Sequence, residues 1–217
     1  MLVTAIGIMG GTFDPIHFGH LRAAEEVLQG FGLKRVVFVP SGRPPHKSPA
    51  EVTSAEHRYM MAELATADNP NFEVSRIEID REGPSYTIDT LREFKSALSS
   101  DTKIYFITGL DAIVDVHTWN EFEHLFELAE FIAVSRPGYS VETLGTLEKV
   151  IGPERFSKIH HFPITLLAIA SRDIRQRVKE GRSIRYLVPE SVRLYVEKGG
   201  LYTESIGKKF WLPGCLD

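Results

Sequence analysis

The chain has 217 residues, 43% of them hydrophobic and 25% charged, an ordinary globular make-up with enough length for one core and a small appended lobe. Its 25 basic and 29 acidic residues give a formal charge of −4, without the basic excess of a nucleic-acid binder, but a local cluster of cations for a small polyanion is still allowed. The single cysteine, Cys215, excludes an internal disulfide framework or a cysteine zinc cluster and fits a reducing cytoplasm, and the longest apolar run, residues 164–170, is too short for a membrane span.

Residues 1–9 are apolar but lack a basic start and a cleavage site, so they read as a first strand, at 3–9, and not as a signal peptide. A helix is expected at 21–31 and a second strand at 35–40, followed by a Pro/Gly-rich loop at 41–49. Next come a helix at 55–67, an extended segment at 72–79 and a helix at 88–98. Strands follow at 103–108 and 130–135, then a last strand at 155–160 and helices at 172–180 and 190–198. Strands alternating with helices predict an α/β fold, a doubly wound parallel sheet with right-handed crossovers. We read one domain over 1–202, its small C-terminal helical subdomain at about 171–202. The tail, 203–217, does not follow the pattern: Phe210, Trp211 and Leu212 can dock on the domain or on another copy, which leaves a homo-oligomer open. Ligands of such sheets bind beyond the carboxyl ends of the strands, which directs attention to 10–20, 41–47, 109–111 and 136–138.

Residues 10–20 read Gly-Gly-Thr-Phe-Asp-Pro-Ile-His-Phe-Gly-His. Gly10 and Gly11 allow a tight turn and close approach of a ligand, and the helix that follows offers amide donors and a positive dipole end to phosphate. His17 and His20, three apart, share one helix face, with Gly19 between them leaving room for a ligand. Capping or surface histidines are the plain alternative. There is no Gly-x-x-x-x-Gly-Lys-Ser/Thr and no Gly-x-Gly-x-x-Gly, so neither a P-loop nor a dinucleotide fingerprint is supported.

This His-x-Gly-His element resembles the signature of the nucleotidyltransferase superfamily that contains nucleotide adenylyltransferases and cytidylyltransferases. The resemblance implies a Rossmann-like fold in which Gly10, Gly11, Thr12, Phe13, His17 and His20 bind ATP. His17 and His20 stabilise charge as the α-phosphorus is attacked, and Asp14 has a structural or acceptor-positioning role near the phosphates. A second superfamily motif, Ile-Ser-Ser-Thr-x-Ile-Arg, is similar to residues 169–175, which assigns Ser171, Ile174 and Arg175 to ATP. Ser171 is expected to cap that helix and Arg175 to fork onto phosphate oxygens, although Arg175 alone also reads as a solvated helix charge. Ala170 and Arg172 depart from the motif and remove hydroxyl donors. Arg172 either compensates with charge or faces solvent.

Pro44-Pro45-His46-Lys47, residues 84–91, Thr108-Gly109-Leu110-Asp111 followed by Trp119, Ser135-Arg136-Pro137-Gly138 and residues 183–189 come in an order, over nearly the whole chain, that resembles bacterial nicotinate mononucleotide adenylyltransferases. The resemblance implies that His46 and Lys47 hold the mononucleotide phosphate, that Ser85, Tyr86 and Thr87 lie beside the pyridine ring with Trp119, and that Arg136 belongs to the same site. Gly109 and Asp111 would serve the ATP ribose. An exposed proline-rich turn needs no function, and a large aromatic such as Trp119 is often core. The expected partners are ATP and nicotinate mononucleotide, with Mg²⁺ carried by the ATP phosphates, no protein metal cluster, no nucleic acid and no membrane. The same chemistry on nicotinamide mononucleotide or another phosphorylated acceptor is the first alternative, and a non-catalytic nucleotide sensor is the second.

Overall fold

The computed structural model describes residues 4–135, 142–165 and 167–203. The expected contact Arg136 and the tail from residue 204 onward lie outside the described residues.

Six parallel strands form one sheet: β1 (Ala5–Gly11), β2 (Arg35–Pro40), β3 (Phe72–Val74), β4 (Lys103–Gly109), β5 (Glu130–Ser135) and β6 (Ile159–Pro163). The helices are α1 (Phe18–Gly30), α2 (Ala55–Thr66), α3 (Ile77–Asp80), α4 (Thr87–Ala97), α5 (Leu110–Ile113), α6 (Phe122–Leu128), α7 (Glu142–Ile151), α8 (Pro153–Phe156), α9 (Ser171–Lys179) and α10 (Glu190–Gly199). The strand order is β3-β2-β1-β4-β5-β6, so the chain winds outward one way from β1 and then returns to wind the other way from β4. The crevice beyond the ends of β1 and β4 is therefore the switch point of a doubly wound sheet.

Strand residues alternate between two cores. Ile6, Ile8, Val37, Val39, Ile104, Phe106, Phe131 and Ala133 enter one, with Ile88 and Leu91 of α4 and Leu125 of α6. Met9, Val36, Phe38, Ile107 and Ile132 enter the other, under α1, α2, α9 and α10. This period of two, with apolar residues on both faces, is what a buried parallel strand requires.

Two expectations fail for local reasons. Residues 72–79 are extended only to Val74, and the alternating Ile-Glu-Ile-Asp that follows forms α3, closed by an Arg76–Asp80 ion pair at 3.0 Å. The strand expected at 155–160 begins at Ile159, because Gly152 (φ 84°) and Pro153 at the first helical position start α8 instead. Helices α5, α6 and α7 have no counterpart among the expected elements.

Candidate active site

A cleft of about 410 Å³ opens at the switch point, lined from β1 and α1 by Gly10, Gly11, Phe13, His17 and His20. Thr108, Gly109 and Asp111 line it from the end of β4, Ser135 from β5, and Ser171 from the start of α9. Segments more than 150 residues apart in sequence thus meet, and the Ser171 hydroxyl donates to the Pro15 carbonyl at 2.9 Å. Ser171 does not cap α9 as expected. Ala170 is the residue before the helix, and Ser171, at the first helical position, spends its hydroxyl on the β1–α1 turn.

That turn is built differently from a simple glycine hinge. Gly10 and Gly11 lie within β1 and are not in the left-handed region. A Cβ on Gly10 would sit 3.0 Å from the Phe106 ring, and one on Gly11 3.0 Å from the Phe13 ring. Their bareness admits aromatic rings as well as leaving the cleft wall smooth. Phe13 turns the chain with φ 50°, a backbone state that costs a non-glycine residue on the order of 1–3 kcal/mol and recurs at functional sites. A cis Asp14–Pro15 bond follows. The Phe13 ring is buried against Phe38 and meets His20 edge-on at 5.1 Å.

The two histidines form a stacked pair, ring centroids 3.7 Å apart and 20° from parallel. The His17 amide donates to His20 Nδ1 at 3.3 Å. A neutral His20 therefore carries its proton on Nε2, a donor on a ring that lines the cleft. Gly19 serves the pair, since a Cβ there would stand 3.0 Å from His17 Cε1 and Nδ1. The glycine makes room for imidazole where room for a ligand was expected. The start of α1 is less open than anticipated, because the Phe18 amide donates to Leu187 O at 3.1 Å. The helix dipole and the imidazoles remain as its attraction for anions.

Cations gather behind the turn. Arg175 Nη1 donates to the Asp14 carbonyl at 2.6 Å, and Lys47 Nζ to Thr12 Oγ1 at 3.1 Å. Desolvation and then Arg175 hold the Lys47 ammonium below its ordinary pKa, with Asp14 acting in the opposite sense. Asp14 is buried. Its carboxylate accepts from the Thr53 amide at 3.2 Å and from the Tyr202 hydroxyl at 2.7 Å, so it organises the turn from within and does not line the cleft. Arg172 is exposed, and Ile174, 0% exposed, belongs to the core and does not line the cleft.

Of the residues expected to bind the mononucleotide, His46 is exposed on the loop after β2, while Ser85 is tied to that loop by its amide on Arg43 O (2.9 Å) and its hydroxyl under Arg43 N (3.0 Å). Tyr86 and Thr87 sit at the start of α4. Trp119 is half-buried, edge-on to Phe106 and Phe131 at 6.1 and 6.4 Å, so it is at least partly core. None of these residues lines the cleft itself. A Cβ on Gly109 would meet Asp111 Oδ1 at 2.3 Å, so this glycine accommodates its neighbour's carboxylate.

Three further groups, two buried and one half-buried, are marked by no motif in the sequence. Arg58, 1% exposed, donates to four backbone carbonyls around the turn and the loop after β2. Its signal was present: Arg58 sits on the same helical stripe as Met61, Ala62 and Ala65, a charge where the period calls for an apolar residue. Glu78 accepts from Thr90 Oγ1 at 2.6 Å, and burial pushes its carboxyl above the ordinary range. Tyr202 lies past the last helix with φ 64° and carried no periodic signal.

The cytidylyltransferase-like family model matches residues 8–177, which hold both halves of the cleft. The chain belongs to this family. Among members of the cytidylyltransferase-like family similar to it, the "Probable nicotinate-nucleotide adenylyltransferase" of Moorella thermoacetica is 51% identical over 197 residues, 91% of each chain. The protein of the same name from Mycobacterium tuberculosis is 49% identical, again over 91% of each chain. Among solved structures, Plasmodium falciparum nicotinic acid mononucleotide adenylyltransferase complexed with NaAD shares the fold, with a TM-score of 0.73 and 21% identity over 92% of this chain and 97% of that one.

Proposed function

We propose that the protein is a nicotinate-nucleotide adenylyltransferase of NAD biosynthesis, which joins the AMP moiety of ATP to nicotinate mononucleotide and releases pyrophosphate. The observation that carries this reading is the convergence of the His17–His20 pair and Ser171 on one cleft at the switch point. Relatives about half identical over nine-tenths of the chain carry that activity in their names.

A 5′-phosphate oxygen of the mononucleotide forms a bond to the α-phosphorus of ATP, and the bond from that phosphorus to the oxygen bridging to the β-phosphate breaks. The attacking phosphate is already anionic, so no protein nucleophile is needed, and the protein's work is positioning and charge stabilisation. His20, with Nε2–H as donor, is assigned to the α-phosphoryl oxygens. His17, Ser171 and Arg175 are assigned to the β- and γ-phosphates; for the last two this requires a change of partner from Pro15 O and Asp14 O or a second hydrogen bond. Lys47 and His46 are assigned to the mononucleotide phosphate, Tyr86, Thr87 and Trp119 to the pyridine end, and Asp111 to ribose. Among the described residues no group of three or more His, Cys, Asp or Glu side chains is placed to hold a metal ion. The donor set therefore suits Mg²⁺ bound through ATP phosphates and water, where it would neutralise phosphate charge. Among the described residues no helix is long and apolar enough to cross a membrane; the single cysteine fits the reducing cytoplasm in which we place the enzyme.

The test is pyrophosphate release from ATP with nicotinate mononucleotide, nicotinamide mononucleotide or phosphopantetheine as acceptor. The acid mononucleotide should give the highest kcat/KM. A higher value with the amide would overturn the acid preference, and ATP binding without turnover on any acceptor would return the protein to the sensor class.

A further inference from the structure

The adenylyltransferase reading assigns the two phosphates that react to two loops, the turn after β1 and the loop after β2. Between them lies one buried guanidinium. Arg58 Nη1 donates to Thr12 O at 2.8 Å, on the turn. Nη2 donates to Ser41 O at 2.5 Å and Gly42 O at 3.3 Å, on the loop, and Nε to Thr53 O at 2.8 Å, just before α2. The planar fork thus spans both loops and fastens each to the helix that bears it, a geometry that an ammonium group does not reproduce.

Burying a charge without a carboxylate in contact is costly, and four carbonyl dipoles are what offset the cost here. An uncharged amide such as Gln, with one nitrogen and two N–H donors, would meet at most two of these carbonyls and bring no charge. Arg58 instead keeps a positive charge directly behind Thr12, whose hydroxyl accepts from Lys47. Burial draws the guanidinium's pKa down while Asp14 supports its charge, and an arginine stays protonated under such a pull.

We propose that Arg58 is a positioning residue, which fixes the separation of the β1 turn from the β2 loop and so sets the distance at which acceptor phosphate meets the α-phosphorus. The proposal rests on the adenylyltransferase reading. It predicts a particular split in the measurements. Each loop alone still binds its own substrate when the fork is lost, but the two substrates no longer sit at attack distance, where a misplacement of about 1 Å costs on the order of 100-fold.

The experiment compares wild type with Arg58→Lys and Arg58→Gln, after thermal melts show which variants fold; Arg58→Lys decides if Arg58→Gln does not. Calorimetry gives Kd for α,β-methylene ATP and, separately, for nicotinate mononucleotide, and steady-state assays give kcat. Arg58→Lys should lower kcat by about 10- to 100-fold with both Kd values within about threefold of wild type. Unchanged kcat in a folded variant, or loss confined to the Kd values, overturns the proposal. Hydrogen exchange supplies an arm that does not depend on the acceptor. The Ser41 amide, which donates to Gly11 O at 2.9 Å, should exchange at least about tenfold faster in Arg58→Lys while the amides of residues 6–8 stay protected. Equal protection of Ser41 in both proteins also overturns it. Wild-type protein inert with nicotinate mononucleotide would reject the acceptor and leave the exchange result to decide the role of Arg58.

Discussion

Tyr202 donates its hydroxyl to Asp14 Oδ1 at 2.7 Å, a contact between the last described turn of the chain and the turn after its first strand. Burial and the neighbouring carboxylate both push the Tyr202 hydroxyl upward in pKa, so it stays a donor across the working range. Tyr202→Phe leaves a buried carboxylate oxygen without this donor and should cost about 1–3 kcal/mol of stability, read as a lower midpoint in urea. If the midpoint does not move, the contact contributes nothing to the fold.

His20→Ala removes the donor assigned to the transition state. Loss of one such preorganised donor lowers turnover by about 100- to 1,000-fold in comparable sites. Pyrophosphate release should fall by that factor while circular dichroism and melting stay close to wild type. Near-normal turnover would remove His20 from the mechanism.

Gly42→Ala and Gly109→Ala should behave in opposite ways. A Cβ on Gly42 would stand 2.0 Å from the Glu78 carbonyl, main chain that cannot yield, whereas on Gly109 it meets the carboxylate tip of Asp111. Overpacking against backbone should cost Gly42→Ala at least the usual 1–3 kcal/mol. Gly109→Ala should keep most of its stability and raise KM for ATP, because Asp111 must swing aside. Melting curves and ATP titrations of the two variants separate these outcomes.

Glu78 gives a pH test. Its folded pKa is raised by burial, against hydrogen bonds from Thr90 and Ser85 that lower it, so between the ordinary carboxylate range and the raised folded value the native state binds more protons than the unfolded one. Stability from this group is therefore full at low pH and declines as pH rises through that window. Glu78→Gln should flatten this part of the stability profile, measured by urea unfolding at a series of pH values. A profile unchanged by the substitution would show that Glu78 does not cause the slope.

Much of the fold is legible in the sequence. Strands β2 and β5 fall where β-branched runs are bounded by turn residues, and Gly10, Gly11, Phe13, His17, Gly19 and His20 line the cleft because they flank a strand-to-helix junction at the switch point. What escaped was long-range. Nothing near Ser171 shows that its hydroxyl reaches back 156 residues to Pro15 O, and nothing local marks Tyr202 as the partner of Asp14. Glycine was read as absence of bulk for a ligand, whereas Gly11, Gly19 and Gly109 make room for Phe13, His17 and Asp111. Local rules give the shape of each segment. Which neighbour fills the space beside a glycine depends on the whole fold.

The β2 loop's anchorage has a practical side for engineering. A loop that supplies acceptors to Arg58, rests Gly42 on the backbone of α3 and pairs with Ser85 is not a modular insert. A chimera that swaps residues 41–48 between family members to change acceptor choice inherits a foreign seat for each of those contacts. Recombination boundaries drawn before β2 and after α4 would carry the loop, its clamp and its floor as one exchangeable block.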